Sequence, residues 1–231
     1  FSLTPGYYDD FTSDNNWTVF STATTGQWTR VIPAGTIFGG AQSNPNVDAS
    51  NDCGNEAFVT GNIVGSSPNT DDVDNGYTQL MSPSLDLSTY ANPYINYSRW
   101  FFIQNGVPAA NEDTLFIKIT DGITIATVDY ATAGSIGNST WVQNSIRVAD
   151  YFPPSNNIKL IAIIEDKVGS GNIVEAGFDH FYVTDVVGIN EVQNSNVFTC
   201  SPNPFANALT LSIKSGNLND YKNYTLSDVS G

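Results

Sequence analysis

Short runs of β-branched and aromatic residues recur along this chain of 231 residues, and in most of them apolar and polar positions alternate. A period of two places successive side chains on opposite faces of a β-strand, whereas an α-helix needs a period of about 3.6. Asp121-Gly122 lies between two of the runs and is typical of a hairpin turn. Strands are therefore predicted at 94–103, 114–120, 123–130, 141–148, 158–164 and 177–183, with a short one at 56–60.

Many short strands separated by Gly, Asn, Asp and Pro favour an antiparallel β-sandwich of the jelly-roll kind. No segment has a convincing helical pattern, so the fold class is predicted to be all-β. The 13 Phe, 11 Tyr and 4 Trp residues suffice for a buried core. The length fits one large sandwich domain at 1–186, a polar linker at 187–196 and a small C-terminal β-sandwich fragment at 197–231.

The charge balance is strongly acidic, with 8 Lys and Arg against 23 Asp and Glu and a formal net charge of −15. Such a chain repels phosphate backbones and anionic lipids, so nucleic-acid partners are not expected. No apolar run approaches the ~18 residues that span a bilayer, so membrane insertion is not expected either. The acidity indicates either solubility outside the cell or carboxylates that hold calcium.

The stretch 34–75 differs from the rest because it is dense in Gly, Asn, Asp, Ser and Pro, with 56–60 as its one predicted strand. Long loops on a sandwich are either functional or held in place by something such as a metal. Cys53 lies in this stretch and Cys200 lies far away, so no disulfide framework is indicated. The chain begins at Phe1 without a signal-peptide pattern, which predicts a processed chain or a piece of a longer protein.

An ordered series of motifs spanning about 9–184 resembles MAM domains. The series comprises Asp9-Asp-Phe11, Trp17, the segment 26–30, Asp48, Leu80-Met-Ser-Pro-Ser-Leu85 and a closing strand at 173–183. The resemblance is still closer to the MAM-like jelly-roll modules attached to bacterial secreted peptidases. Their recurring motifs match Val59-Thr-Gly-Asn62, Asp72-Val-Asp-Asn-Gly76, Ser82-Pro83 and Asp86-Leu-Ser88. Asn75 replaces a family glycine but tolerates the left-handed conformation, and the MAM cysteines are missing.

The resemblance implies a structural cation held by acidic residues near the start, in the early loop and in the last strand. The matching positions are Asp10, Asp48 and Asp179, and hard oxygen ligands imply calcium as the cofactor rather than zinc. Asp72 and Asp74 resemble the start of a second calcium loop. The alternative is that these aspartates are turn residues and that Asp179 is an exposed strand residue.

The segment Cys200-Ser-Pro-Asn-Pro-Phe205 precedes a predicted strand at 208–213 and a second one at 224–231. Its prolines predict an extended, strand-free entry. This arrangement resembles the C-terminal sorting domain of proteins exported by the type IX secretion system of Bacteroidota. The resemblance implies Pro202, Asn203, Pro204, Phe205 and Gly231 as the secretion signal and the type IX machinery as partner. It also implies a location outside a Gram-negative cell or on its outer surface. The family continues past the glycine, so a truncated domain is expected.

Three functions remain open from the sequence. The first is a non-catalytic accessory or adhesion module of a larger secreted or surface protein, which either binds a protein or polysaccharide surface or spaces and stabilises a catalytic neighbour. The second is a carbohydrate-binding module that exposes a row of rings; the candidate rings are Tyr7, Tyr8, Trp28, Trp100, Phe101 and Phe102. The third is a polysaccharide- or peptide-cleaving enzyme domain with a carboxylate pair in an acidic cleft, for which no local signature is present. His180 is the one histidine and is expected at the surface or at a strand edge.

Overall fold

The computed structural model describes residues 6–50, 52–63, 68–104, 113–133, 135, 137–167, 172–185, 198–201 and 210–213, the last two segments as backbone alone. Throughout these residues the regular elements are β-strands, apart from 3-10 turns at Pro68–Thr70 and Val148–Asp150. The chain divides into two compact units, Phe1–Val186 and Val187–Gly231. Among the described residues, no helix is long and apolar enough to cross a membrane. The predicted all-β fold class is confirmed.

The strands are short at the start of the chain and long in its second half. They are β1 (Tyr8–Asp9), β2 (Thr18–Ser21), β3 (Thr29–Val31), β4 (Thr36–Phe38), β5 (Ala41–Asn44), β6 (Ala57–Val59), β7 (Gly76–Met81), β8 (Pro93–Ile103), β9 (Thr114–Thr120), β10 (Ile125–Ala131), β11 (Val142–Arg147), β12 (Lys159–Asp166), β13 (Val174–Asp185), β14 (Phe198–Ser201) and β15 (Thr210–Ile213). All seven strands predicted above for the first unit occur. The sequence patterns missed β1 to β5 and β7, which are short or polar.

Two antiparallel sheets form the first unit. The first sheet has the order β11-β8-β13-β6-β3, with β1 also paired to β13. The second sheet has the order β10-β9-β12-β7-β2. The apolar face of each sheet is buried against the other, because alternate residues of β8, β12 and β13 point inward. Tyr97, Phe178 and Leu80 are among the largest side chains buried completely in this core.

The outer faces of the two sheets differ. A hairpin of β4 and β5 and the loop after it lie over the first sheet, where the Trp100 indole donates a 3.1 Å hydrogen bond to the carbonyl of Ser43. Trp141 donates similarly to the carbonyl of Val47 at 3.0 Å. The second sheet has no such cover among the described residues, and its outer side chains reach solvent. This hairpin lies inside the stretch 34–75, where a single strand was predicted.

The described part of the second unit is one antiparallel pair, β14 with β15, in which Cys200 pairs with Leu211 and Ser201 with Thr210. The prediction of a strand-free entry from Cys200 was therefore wrong for its first two residues. Pro202 holds the residue before it in an extended conformation, which a strand allows, and both preceding residues keep an N–H for the ladder. The linker 187–196 and the secretion-signal residues Pro202, Asn203, Pro204, Phe205 and Gly231 lie outside the described residues.

Candidate functional site: a carboxylate cluster and an open sheet face

Asp179 is the centre of an acidic cluster on the covered side of the first sheet. It lies on β13 at a β-bulge, and the next residue, His180, has a positive φ of 48°. Its side chain is fully buried and accepts hydrogen bonds of 2.8 Å from the backbone N–H groups of Ala49 and His180. The bulge redirects the strand locally, which allows the loop after β5 to approach the carboxylate.

Asp48 and Asp52 complete the cluster from that loop. Carboxylate oxygens of Asp48, Asp52 and Asp179 all lie within 4.8 Å of one another. Asp52 Oδ1 accepts a 3.1 Å hydrogen bond from the backbone N–H of Gly54. The second oxygen of Asp52, Oδ2, is buried without a hydrogen-bond partner among the described residues. Three converging carboxylates of this kind supply the hard oxygen ligands that calcium binds.

Burial dominates the electrostatics of the cluster. It raises the pKa of Asp179 to about 8, and the negative charge of Asp52 adds to this effect. Burial likewise raises the pKa of Asp48 and of Asp52. None of the ion pairs formed by the described residues includes any of the three. A divalent cation bound here would offset the mutual repulsion of the three carboxylates.

The predicted ligand set Asp10, Asp48 and Asp179 is therefore brought together in part. Asp10 lies beside the cluster, since its charge raises the pKa of Asp52, but its carboxylate is not among the three that converge. It accepts a 3.2 Å hydrogen bond from the N–H of Thr12 instead. Asp52 was not predicted, although an aspartate four positions after Asp48 in one polar loop was a usable signal.

Asp72 and Asp74 lie at the turn that leads into β7. Burial raises the pKa of Asp72 to about 7, with the charges of Asp74 and Asp166 adding to it. The Asp74 carboxylate accepts a 3.3 Å hydrogen bond from the hydroxyl of Thr25. Asn75 has a φ of 54°, so the left-handed conformation expected for this turn is present. Neither aspartate belongs to a group of three carboxylates as tight as that around Asp179 in the described part of the chain.

The outer face of the second sheet carries a row of side chains that crosses all five strands. The strand registers align Phe20 on β2, Gln79 on β7, Ile163 on β12, Phe116 on β9 and Tyr130 on β10. The two outermost rings, Phe20 and Tyr130, are 55% and 60% exposed. This set of five residues is called the ring row below.

Further groups flank the ring row on the same face. The rings of Tyr77 and Phe20 have centroids 5.9 Å apart. The Lys118 ammonium lies 5.4 Å from the centroid of the Phe116 ring, within the range of a cation–π contact. Gln79 and Lys118 place hydrogen-bonding groups between the rings, so the face combines stacking surfaces with polar groups.

The aromatic residues named from the sequence are mostly elsewhere. Trp28, Trp100, Phe101 and Phe102 are buried. Of the remaining two, Tyr8 is half exposed, and the hydroxyl of Tyr7 accepts a 2.8 Å hydrogen bond from the backbone N–H of Asp86. The rings of the ring row were missed because their exposure depends on which face of each strand points outward.

Two cavities are described in the first unit. The larger, about 310 Å³, lies beside β1 and is lined by Tyr7, Asp9, Trp17, Leu85 and Phe181, among others. The smaller, about 210 Å³, is lined by Phe38, Phe102 and Asn138, among others. Asp9 accepts hydrogen bonds there from the Trp17 indole at 2.8 Å and the Phe11 N–H at 2.9 Å, and burial raises its pKa. Neither cavity is lined by Asp72 or Asp179.

The position of His180 differs from expectation. It is 8% exposed rather than at the surface, and its ring packs near Tyr8 and Tyr182 at centroid distances of 6.2 and 4.9 Å. The β-bulge lies at this point of β13, next to the residues that pair with β1, and the His180 ring lies near Tyr8 of β1. The sequence pattern contained no signal for the bulge, which explains the error.

No protein-family model matches the chain, and no curated protein does. Among solved structures, it is similar to the K1 cleaved adhesin domain of Lys-gingipain from Porphyromonas gingivalis W83, with 13% identity over 78% of this chain and 98% of that one and a TM-score of 0.42. It is also similar to the K3 cleaved adhesin domain of the same protein, with 11% identity over 77% of this chain and 97% of that one and a TM-score of 0.46.

The C-terminal family 22 carbohydrate-binding module of Clostridium thermocellum Xyn10B gives 16% identity over 80% of this chain and 95% of that one, with a TM-score of 0.42. At such low identities and scores, these similarities identify no ligand or partner for this chain.

Proposed function

We propose that this chain is a non-catalytic extracellular module that attaches a larger secreted or surface protein to a polysaccharide through the ring row of the second sheet. The observation that carries the proposal is the alignment of Phe20, Phe116 and Tyr130 across one uncovered sheet face. Four inter-strand steps of about 4.8 Å give the row a length of roughly 19 Å. A row of this length offers several stacking surfaces to one extended chain of sugars.

The chemistry of the face supports a sugar ligand. A sugar ring has an apolar face of C–H groups and a rim of hydroxyls, so it pairs with an aromatic ring and with hydrogen-bonding groups beside it. Gln79 and Lys118 supply such groups between the rings. Exposed rings on a secreted protein are also costly in solubility unless they serve a contact.

The alternative of an enzyme has less support. Catalytic carboxylates with a raised pKa need access to a cleft in which a substrate can sit. Asp72 and Asp179 have strongly raised pKa values but line neither described cavity. Their positions beneath loops suit structural roles better than substrate contact. Asp9 lines the larger cavity and also has a raised pKa, but its two oxygens are held by the Trp17 indole and the Phe11 N–H.

Affinity electrophoresis in gels containing soluble polysaccharides, one per gel, tests the proposal. The chain is expected to be retarded by at least one polysaccharide, and the double variant Phe20→Ala/Tyr130→Ala is expected to migrate as in the polysaccharide-free gel. Tyr151→Ala is the matched control, because Tyr151 is 41% exposed but follows β11 of the first sheet.

Retardation that survives the double substitution would reject the ring row as the contact. No retardation in any gel of a broad panel would reject the polysaccharide ligand. In that case, adhesion to a protein surface through the apolar side chains of the same face becomes the leading function.

Calcium is proposed as the structural cofactor of the module. Asp48, Asp52 and Asp179 would hold the ion, with Asp10 contributing charge from the edge of the cluster and Asp72 and Asp74 as candidate ligands of a further ion. Support comes from the 4.8 Å convergence of three carboxylates that form no ion pair among the described residues. An ion here would fasten the loop after β5 to β13.

Export by the type IX secretion machinery is proposed from the sorting-domain motif and the acidic composition. Replacing Pro202, Asn203, Pro204 and Phe205 by alanine in the full chain, within a host that has this machinery, is the test. Immunoblots of cell fractions are expected to show the protein at the cell surface or in the medium before the substitution and inside the envelope after it. Unchanged surface display would overturn the assignment.

A further inference from the structure

Glu175 is a fully buried carboxylate that has no basic partner among the ion pairs of the described residues. It lies on β13, and Oε2 accepts a hydrogen bond of 2.6 Å from the Thr60 hydroxyl and one of 3.3 Å from the Asn44 amide. Its other oxygen, Oε1, is buried without a hydrogen-bond partner in the described part of the molecule. Burial raises the pKa of Glu175 well above its usual value. A carboxylate in this setting needs a proton or a cation.

The Asn44 side chain occupies the centre of a group of oxygens next to Glu175. Its amide nitrogen donates to the carbonyl of Thr60, to the carbonyl of Gly61 at 2.6 Å and to Glu175 Oε2 at 3.3 Å. Its amide oxygen is buried and has no hydrogen-bond partner in the described part of the chain. Three oxygen atoms thus surround the amide nitrogen of Asn44, whose hydrogens carry partial positive charge. With its amide rotated and drawn back, Asn44 would turn its oxygen toward an ion placed among these oxygens.

Gly61 brings its backbone unusually close to this carboxylate. It has a φ of 58°, and a Cβ built on it would lie 2.4 Å from Glu175 Oε1 and 2.8 Å from the carbonyl oxygen of Asp71. A side chain at this position would therefore fill the space between the carboxylate and the carbonyls. Asp72 adds another buried oxygen, Oδ1, without a described partner, and its charge is close enough to affect Glu175.

We propose that Glu175 and Asn44, with the backbone carbonyls of Thr60 and Gly61, form a binding site for a hard divalent cation, with calcium as the expected ion. Calcium takes six to eight oxygens from carboxylates, amide carbonyls and backbone carbonyls in flexible geometry. The site contains these three ligand types and offers neither thiolate nor imidazole, which disfavours softer metals. Asp72 lies beside it as a source of further negative charge.

This site is separate from the cluster around Asp179 and ties together different elements. Glu175 belongs to β13, Asn44 ends β5, and Thr60 and Gly61 follow β6. An ion held by all three would fasten the β4–β5 hairpin to the outer face of the first sheet. The sequence analysis pointed to the aspartates and to the motif that contains Thr60 and Gly61, but it did not single out Glu175 or Asn44, because one Glu in an apolar strand and one Asn in a polar loop form no motif.

Calcium titration of the chelator-treated chain by isothermal calorimetry tests the site. The variant Glu175→Gln keeps the shape of the side chain and is expected to bind one calcium ion fewer than the unmodified chain. Asp179→Asn is expected to leave this ion in place. Glu56→Gln is the matched control, because Glu56 pairs with Arg30 near the surface. An unchanged ion count in Glu175→Gln would overturn the proposal.

Terbium luminescence gives a second readout that does not depend on the ion count. Trp100 donates to the carbonyl of Ser43, the residue before Asn44, so terbium at this site is expected to be sensitised by tryptophan excitation. The Glu175→Gln variant is expected to lose this component while Glu56→Gln keeps it. Identical tryptophan-sensitised signals from the unmodified chain and Glu175→Gln would also overturn the proposal.

The variant Asn44→Asp distinguishes a metal site from a buried hydrogen bond between Asn44 and Glu175 without a metal. A second carboxylate beside Glu175 raises affinity for a cation, but it destabilises the fold when no cation is present. The variant, produced in calcium, is expected to melt lower than the unmodified chain in EDTA and to gain more from added calcium. A melting temperature of Asn44→Asp that does not respond to calcium would contradict the site.

Discussion

The Asp179 carboxylate accepts a 2.8 Å hydrogen bond from the backbone N–H of Ala49, which joins the long strand β13 to the loop after β5. Asp48 precedes Ala49, so the same contact brings its carboxylate to the cluster. The fold therefore uses a buried acid both as an anchor for a loop and as a candidate cation ligand.

Removal of calcium is expected to destabilise the first unit. An ion present at 100 times its dissociation constant adds about 2.7 kcal/mol to the free energy of unfolding. For a chain of this size, that corresponds to a melting temperature roughly 5–11 °C higher than in EDTA. Differential scanning calorimetry with calcium and with EDTA measures the difference.

Asp179→Asn is expected to reduce this calcium-dependent increase in melting temperature. Asp150→Asn is the control, because Asp150 is exposed and pairs only with Arg147 in the described structure. Identical melting curves of the unmodified chain with calcium and with EDTA would reject the metal cluster.

Stability in EDTA is expected to fall as the pH rises from about 4 to about 8. Asp72 and Asp179 have folded-state pKa values of about 7 and about 8, against about 4 when unfolded. In this interval the folded state binds more protons than the unfolded state, so the free energy of unfolding decreases with pH and levels off above the folded pKa. Urea unfolding at pH 5 and pH 8 measures the change.

Asp72→Asn is expected to flatten this pH dependence, since the amide does not titrate. The exposed Asp150→Asn is expected to leave the slope unchanged. If the unfolding free energy changes equally with pH in the unmodified chain and in both variants, the raised pKa of Asp72 does not contribute to the pH dependence of stability.

The ion pair between Arg99 and Asp129 joins the two sheets, with 2.5 Å between Nε and Oδ2, and removal of one partner is expected to be strongly destabilising. Arg99 is buried, and its Nη1 has no hydrogen-bond partner among the described residues. Asp129→Asn leaves this charge without a counter-ion, so a loss of about 3 kcal/mol in unfolding free energy is expected from urea denaturation. The exposed pair Arg147 and Asp150 is the comparison, and Asp150→Asn there is expected to cost less than ~1 kcal/mol. Equal losses at the two pairs would contradict the predicted role of burial.

Single substitutions in the ring row are expected to weaken polysaccharide binding without lowering stability. Stacking on one ring contributes about 0.5–1.5 kcal/mol, so Phe20→Ala and Tyr130→Ala are each expected to weaken binding roughly twofold to tenfold. Because both rings are exposed in the unbound chain, melting temperatures are expected to stay the same. Isothermal calorimetry with the polysaccharide found by electrophoresis measures the affinity. Unchanged affinity in either variant would show that the substituted ring does not contact the polysaccharide.

The longer strands from β8 to β13 were predictable from the sequence, and most of the earlier strands, which are shorter or more polar, were not. β9, for example, alternates between buried and outer residues over 115–120, and its predicted and observed bounds, 114–120, agree. β5, with the sequence Ala-Gln-Ser-Asn, has no apolar pattern and becomes a strand only through its pairing with β4 and its contacts with the first sheet. A local sequence pattern reports the burial of apolar side chains on one face, whereas the side chains that β5 buries, Ser43 and Asn44, are polar.

The candidate sites divide in the same way. The sequence by itself determined an acidic, all-β chain with aspartates in the early loop and the last long strand, because composition and period-two alternation are local properties. Only the tertiary structure decided which acids meet: Asp52 joins Asp48 and Asp179, and Glu175 meets Asn44 across 131 positions of the chain. These contacts depend on the bulge at His180, on the turn at Gly61 and on the registers of five strands. Each of these features is a property of backbone geometry that no single residue type encodes.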